Sequence, residues 1–333
     1  MSDTEILQAY KEEVLGLQKF PDTEWVLRLF RYQAISNEVY KNYLNLLQVD
    51  PYCIDTIEAI PFLPIEFFKN HSVKTGNWNA EEVFTSSGTT GSQTSKHHLY
   101  CSSFYKKHSQ QCFEHFYGPL EGYCVLALLP AYLERTGSSL VYMADHFINT
   151  SRDDQSGFFL HNWEELADVL MIKKQQGVKT LLIGVSFALL DFAGQYKLDL
   201  SDVIVMETGG MKGRRQEMPR SEMHAEMSVL LHLDAVHSEY GMTELLSQSY
   251  SLGEGLFELP PSMRFVIRDI TDPFSLVKNG KSGVLNIIDL ANFASCSFIE
   301  TADLARCQGS NGYEILGRLD RAMVRGCNLM YTG

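Results

Sequence analysis

T-S-S-G-T-T-G-S-Q-T at residues 85–94 decides how the rest of the chain is read. Hydroxyls and glycines alternate, and no bulky side chain intervenes. Glycine reaches φ > 0 without penalty, so successive backbone N–H groups can turn inward on one anion. Ser86, Ser87, Thr89 and Thr90 add hydroxyl donors around Gly88 and Gly91. The stretch follows a short strand-like pair, Val83-Phe84. It lacks G-x-x-x-x-G-K-[ST], so it is not the P-loop. A run of this composition also fits a plain surface turn. The phosphate reading therefore depends on motifs nearer the C-terminus.

The chain has 333 residues, room for one large or two ordinary domains. Hydrophobic residues make up 45% and can fill a sizeable core. A formal net charge of −13 argues against wrapping nucleic acid or binding an anionic membrane. The seven cysteines are odd in number and form no C-x-x-C, which points to a reduced protein without structural zinc or a disulfide framework. The N-terminus is amphipathic and acidic, unlike a signal peptide. The longest apolar stretch, 180–192, is too short to span a bilayer and is broken by Gly184 and Ser186. A cytoplasmic protein with no membrane span is expected.

Four regions are expected. Residues 1–80 read as mainly helical, with Ile6, Leu7, Tyr10, Val14 and Leu17 on one helical face. Further helices are expected at 24–39 and 40–47, before Pro61 and Pro64. Residues 81–235 read as an α/β nucleotide-binding core. Its strands fall at 123–129, 180–184 and 203–208, and its helices at 102–116, 139–146, 163–175 and 216–230. Apolar strands alternating with helices imply a parallel sheet buried on both faces. Residues 236–320 turn β-rich, with strands at 263–267 and 283–289 and a hairpin turn signal at Asn279-Gly280. Residues 321–333 form a short tail.

Two later motifs support the phosphate reading. Tyr240-Gly241-Met242-Thr243-Glu244 follows His237-Ser238-Glu239. Tyr240 could stack a flat base, Thr243 could donate to a phosphate, and Glu244 could hold Mg²⁺ against phosphate oxygens. The same residues also suit a helix start with Tyr240 in the core. Thr301-Ala302-Asp303 and Gly317-Arg318-Leu319-Asp320 come next. Asp303 could accept from two ribose hydroxyls, and the planar fork of Arg318 could bridge ribose and phosphate. Either could equally be a surface charge. Thr208-Gly209-Gly210 closes an expected strand. His97, His98, His108, His115 and His146 lack metal spacing and read as surface or helix residues.

In this order, S-S-G-T-T-G, Y-G-M-T-E, T-A-D and G-R-L-D resemble the adenylate-forming superfamily, which includes acyl-CoA synthetases, luciferases and peptide-synthetase adenylation domains. The resemblance implies an α/β N-terminal domain with buried, largely parallel sheets flanked by helices, plus a β-rich subdomain. It implies that Ser86–Gly91 holds ATP phosphates and that Thr208-Gly209-Gly210 and Tyr240 sandwich adenine. Gly241 belongs to the same nucleotide motif. Asp303 and Arg318 then hold the ribose, and Thr243 and Glu244 meet phosphate and Mg²⁺. This sequence departs in three places. Gln93 and Thr94 occupy the Pro and Lys places of T-T-G-x-P-K, T-G-D appears as T-A-D, and the lid domain expected after G-R-x-D is essentially missing. Lys96 or a partner subunit is left as the stand-in for the lid's lysine.

Pro130-Ala131-Tyr132-Leu133-Glu134-Arg135, Thr208-Gly209-Gly210-Met211-Lys212-Gly213-Arg214 and Arg325-Gly326-Cys327-Asn328-Leu329-Met330 are most similar to the acyl-protein synthetase family, the subunit type of the bacterial luminescence fatty-acid reductase. That resemblance covers most of residues 60–330. It implies that a fatty or other carboxylic acid is activated by ATP as acyl-adenylate. The acyl group then passes to Cys327 and on to an acceptor such as an acyl-CoA reductase-like protein or an acyl-carrier protein. Two other readings stand beside it: an acyl- or aryl-CoA or carrier-protein ligase resembling phenylacetate-CoA ligases, and a catalytically silent nucleotide-binding scaffold.

Overall fold

Three helices open the chain, and each begins where a short polar side chain caps it. The structure, a computed structural model, describes residues 2–86, 94–129, 137–209 and 218–319. Helix α1 (Asp3–Leu15) starts with a capping box between Ser2 and Glu5. Asp22 caps α2 (Thr23–Ser36), and Asn37 caps α3 (Glu38–Leu46). The sequence pattern predicts one helix over 24–39, but Asn37 breaks it. Its backbone is extended, its Oδ1 accepts from Tyr40 N at 3.0 Å, and its Nδ2 donates to the Ser295 carbonyl at 2.8 Å. A side chain that serves both a cap and a distant carbonyl cannot sit inside a continuous helix. Strand β1 (Leu63–Pro64) and α4 (Phe67–Asn70) complete this region.

The hydroxyl- and glycine-rich stretch lies between the strands of a hairpin, β2 (Glu82–Thr85) and β3 (Lys96–Leu99). Then come α5 (Ser102–Tyr117), β4 (Cys124–Leu128), α6 (Ser139–Thr150), β5 (Gly157–Phe158), α7 (Trp163–Gln176), β6 (Thr180–Val185), α8 (Ser186–Tyr196), β7 (Val203–Thr208), α9 (Arg220–Leu231) and β8 (His237–Tyr240). The β-rich part contributes β9 (Ser249–Ser251), β10 (Leu256–Glu258), β11 (Met263–Arg268), β12 (Ser282–Asp289), β13 (Phe298–Cys307) and β14 (Tyr313–Arg318).

Among the described residues, twelve strands join one sheet in the order β11-β12-β13-β14-β10-β9-β8-β7-β6-β4-β5, with β1 beside β13. Strands β4 to β8 run parallel, and all residues of β4 and β6 are buried. That is the sheet implied by continuous apolar strands between helices. Beyond β8 the pairing is antiparallel apart from the contact of β1 with β13. The expected strands at 123–129, 180–184, 203–208, 263–267 and 283–289 are all present within two residues. Helix α8 is not predicted by the sequence pattern. Seven of its residues are buried around its circumference, so it shows no amphipathic stripe. Asn279-Gly280 sits in a turn closed by Lys281 N on the Lys278 carbonyl at 3.0 Å, with φ +79° at Gly280. This turn ends a long connection between the antiparallel β11 and β12 and is not a two-residue hairpin.

Strand β4 lies between β5 and β6, so the chain first steps to one side of β4 and then to the other. In open parallel sheets such a reversal leaves a crevice beyond the carboxyl ends of the strands, where ligands bind. Among the described residues no helix is long and apolar enough to cross a membrane. The six described cysteines form no disulfide.

Candidate functional site

Residues 237–248 leave the sheet at its carboxyl edge and touch every other described motif. Strand β8 pairs with β7 so that Thr208 lies opposite Glu239. Thr208 Oγ1 donates to Glu239 Oε2, and both residues are buried. Burial pushes Glu239 up to about 7; the neighbouring Glu207 pushes the same way, and the Thr208 hydrogen bond opposes it. Glu207 has the opposite fate. Burial alone would raise it, but His224, the Arg220 charge and the Ser186 hydroxyl hold it down at about 2. Arg220 Nε lies 3.0 Å from Glu207 Oε1, and Ser186 Oγ donates to Oε2 at 2.8 Å. A side chain at Gly241 would put its Cβ 2.4 Å from Glu239 Oε1, so any larger residue there forces the buried carboxyl to shift. Gly209 turns the chain out of β7 with φ +60°.

Tyr240, at the end of β8, points the other way. Its ring packs edge-on against Phe257 and Phe265, with centroids at 6.0 and 5.9 Å. Its hydroxyl donates to Asp303 Oδ2 at 2.7 Å. Asp303 sits directly opposite Arg318 in the β13–β14 ladder, so T-A-D and G-R-L-D are cross-strand neighbours. Arg318 Nε is 3.5 Å from Asp303 Oδ1, and the arginine side chain is 83% exposed. Burial raises the Asp303 carboxyl, while Tyr240 and Arg318 pull it back. Thr301 fixes the strand locally, donating to the Leu285 carbonyl at 2.7 Å and accepting from Asp303 N at 3.0 Å.

The turn at 243–244 meets the base of the hydroxyl-rich stretch. Ser86 N donates to the Ser95 carbonyl at 3.1 Å, and Ser95 N donates to Ser86 Oγ at 2.9 Å. This pair closes the stretch at its root. The Ser95 side chain hydrogen-bonds Glu244, which is buried. Burial raises the Glu244 carboxyl; Ser95 and the charges of Arg318 and Lys69 oppose that rise. From β3, His97 Nδ1 donates to the Thr243 carbonyl at 2.9 Å. The expected surface or helix placement of His97 is therefore corrected: it is a buried strand residue, held neutral by burial with its pKa pushed down to about 4. His108 does lie on a helix, α5, but is equally buried and pushed down to about 4. Lys96 is exposed on β3, opposite Thr85.

The structure thus joins Ser86, Thr208, Gly209, Tyr240, Gly241, Thr243, Glu244, Asp303 and Arg318 through one short segment. Ser87, Gly88, Thr89, Thr90, Gly91, Gly210 and Cys327 lie outside the described residues. So do the segments at 130–135 and 211–214 and the tail at 321–333. Sequence reasoning missed Glu239, Ser95, His97 and Asp289. The local signal for Glu239 was weak: a carboxylate two residues before Gly241 in the polar strand His237-Ser238-Glu239-Tyr240. The other three are recognisable only once the fold brings them to the turn.

No protein-family model and no curated protein matches the chain. Solved structures do. The structure of 2-hydroxyisobutyryl-CoA ligase in the postadenylation state with 2-HIB-AMP matches 96% of this chain and 69% of that chain, with a TM-score of 0.63 and 12% identity. ATP-bound MatB from Rhodopseudomonas palustris matches 73% of this chain and 49% of that chain, with a TM-score of 0.53 and 15% identity. The ATP-bound RpMatB-BxBclM chimera B1 gives the same coverage, with a TM-score of 0.56 and 15% identity. The fold is that of the N-terminal domain of adenylate-forming enzymes. The chain spans about half the length of the MatB structures.

Proposed function

We propose that the chain is an ATP-dependent acyl-protein synthetase that activates a fatty acid as acyl-adenylate and passes the acyl group to Cys327. The observation that carries the activation step is the convergence at residues 237–248. The root of the hydroxyl-rich stretch reaches Glu244 through Ser95, while Asp303 with Arg318 flanks Tyr240 on the same segment. The solved neighbours that carry ATP or an acyl-adenylate share this fold. The carrier step rests on the sequence likeness of Arg325-Gly326-Cys327 and its surroundings to acyl-protein synthetases.

In the first step a carboxylate oxygen attacks the α-phosphorus, the bond to the bridging oxygen breaks, and pyrophosphate leaves with its electron pair. Catalysis here is mostly positioning and charge neutralisation. Amides and hydroxyls at 86–91 take the β- and γ-phosphates. Thr243 donates to a phosphate oxygen, and Asp303 and Arg318 hold the ribose. The Thr208-Gly209-Gly210 strand end lines the adenine, while Tyr240, buried against Phe257 and Phe265, supports Asp303 through its hydroxyl in place of the base stacking expected from the sequence. Glu244 suits a Mg²⁺ ligand because burial disfavours its charge and a cation would relieve that cost. Among the described residues no three His, Cys, Asp or Glu side chains converge as a cage, so bound Mg²⁺ would draw its other ligands from phosphate and water, neutralising phosphate charge. In the second step the Cys327 thiolate attacks the acyl carbonyl and AMP leaves, giving a thioester. Delivery to a reductase or carrier-protein acceptor follows.

A second reading is favoured by the likeness to the solved 2-hydroxyisobutyryl-CoA ligase: the acyl group goes to CoA instead. Labelling with radioactive fatty acid and ATP·Mg²⁺, followed by a denaturing gel with and without hydroxylamine, separates the two. An acyl-protein synthetase gives a hydroxylamine-labile label that Cys327→Ser abolishes and Glu244→Ala prevents. CoA-dependent AMP release without protein label establishes the CoA ligase and removes the Cys327 assignment.

A further inference from the structure

Residues 241–248 belong to no helix, and ladder pairing resumes only at Ser249. A segment without ladder bonds keeps one shape only if its peptide groups are tied down elsewhere. Here the ties come from the far side of the sheet. Asp289, at the end of β12, is completely buried and accepts four hydrogen bonds. Its Oδ2 receives Leu246 N at 2.7 Å and Ser247 N at 3.0 Å. Its Oδ1 receives Ser247 Oγ at 2.6 Å and Ala291 N at 3.1 Å. The single proton of the Ser247 hydroxyl is thereby committed to Asp289. His108 Nε2, 2.9 Å from the same oxygen, must then be the donor to it.

The two carbonyls just upstream are held as well. Asn292 Nδ2 donates to the Glu244 carbonyl at 2.8 Å, and His97 Nδ1 donates to that of Thr243 at 2.9 Å. The anchor is itself braced by the N-terminal helices. Gln33 of α2 donates to the carbonyls of Asn292 and Phe293 at 3.0 and 3.1 Å and accepts from Ser297 N at 2.9 Å. Hydrogen bonds to an ionised acceptor are about twice as strong as neutral ones, and a buried carboxylate that loses its donors is heavily penalised. One conformation of the turn supplies three of the four donors of Asp289; the fourth, Ala291 N, is local to Asp289.

We infer that Asp289 is the positioning residue that fixes the turn presenting Thr243 and Glu244, with Asn292 and His97 completing the clamp. The inference takes the role of Glu244 from the function proposed above, but the clamp can be tested apart from that role. Asp289→Asn keeps the shape and removes the charged acceptor. Ile287→Val, a buried change on the same strand, controls for loss of packing. Two quantities are read: the Mg²⁺ concentration that half-saturates acid-dependent ATP–pyrophosphate exchange, and hydrogen exchange at the amides of Leu246 and Ser247. Removing a group that orients a metal ligand typically weakens metal affinity about ten-fold or more.

Asp289→Asn should therefore raise half-saturating Mg²⁺ roughly ten-fold while leaving the KM for the acid unchanged. The Leu246 and Ser247 amides should exchange roughly ten-fold faster, with the β12–β13 ladder unaffected. Ile287→Val should change neither. If Asp289→Asn behaves like Ile287→Val in both readouts, the clamp is refuted. If the wild type shows no exchange activity, the proposed function falls and the amide measurement alone decides the clamp. Should Asp289→Asn fail to fold, Ser247→Ala removes one donor to Oδ1 and the hydroxyl that accepts from His108, and the same two readouts apply.

Discussion

Replacing Glu239 by Gln should stabilise the protein at neutral pH and leave it nearly unchanged in acid. The carboxyl is buried and titrates near 7 in the folded chain, against an ordinary value of 4.5. Below pH 4.5 both folded and unfolded states hold the proton, and the group carries no electrostatic penalty. As pH rises through 7 the folded state must ionise a group that burial disfavours, and that stability is lost. Between pH 5 and pH 8 the loss amounts to about 2 to 3 kcal/mol. Glutamine keeps the side-chain length and an oxygen that can accept from Thr208 Oγ1, and it does not titrate. His97 and His108 act in the opposite sense, because folding lowers both to about 4 from 6.5 and their stabilisation is lost as pH falls. They are common to both proteins, so they cancel in the difference. Urea unfolding followed by tryptophan fluorescence at several pH values between 5 and 8 measures that difference. It should grow steadily in favour of Glu239→Gln, and each kcal/mol should appear in a thermal melt as roughly 2 °C of Tm. A difference that stays flat with pH would refute a buried, proton-holding Glu239.

Two further outcomes follow from the same cluster. Gly241→Ala places a methyl 2.4 Å from Glu239 Oε1 and should destabilise by about 1 to 3 kcal/mol, with much of that loss relieved in a Glu239→Ala background; additive losses in the double variant would place the strain elsewhere. Tyr240→Phe and Asp303→Asn should each cost about 1 to 3 kcal/mol, and their double variant should reveal a coupling of about 1 kcal/mol or more, because the 2.7 Å hydrogen bond between them is buried. Thermal unfolding of the four proteins closes that cycle, and a coupling near zero would contradict the contact.

How far the sequence could be read depended on whether a signal was local. Strand 203–208 was legible to the residue because an apolar run ended on Thr-Gly-Gly. The cap residues Ser2 and Asp22 obey a local hydrogen-bonding rule and mark helix starts. The break at Asn37 was hidden, since the partner that makes it worthwhile is the carbonyl of Ser295, far away in the chain. Helix α8 was hidden for another reason: it is apolar on all sides, and burial on all sides erases the period. Motif spelling identified Glu244 and Asp303 as chemistry-bearing groups. It gave no indication that Tyr240 would be hydrogen-bonded to Asp303, because that contact is created by sheet register. The histidines show the same limit. Nothing local separates His97 from His98, yet alternation along β3 buries the first and leaves the second partly exposed.

The charges around this turn bear on what the site can accept. Glu239, Glu244, Asp289 and Asp303 are all buried, and burial raises every one of them. Arg318 and Lys69 are the cations that act on Glu244, and Arg318 is largely exposed. Such a surrounding disfavours a bare polyphosphate, since bringing like charges into a poorly hydrated space costs more than a distant cation returns. It favours an anion that arrives with its own counter-charge. Under the proposed function a nucleotide carrying a divalent ion would satisfy both sides: the ion would meet the buried Glu244 carboxylate, and the phosphates would turn toward amides and hydroxyls at the root of the 86–95 stretch. On that argument the departure from T-T-G-x-P-K is less damaging than it reads in sequence. Under the function proposed above, the role of the missing lysine would fall to backbone dipoles and the ion, and the turn held by Asp289 would keep Glu244 in reach of that ion.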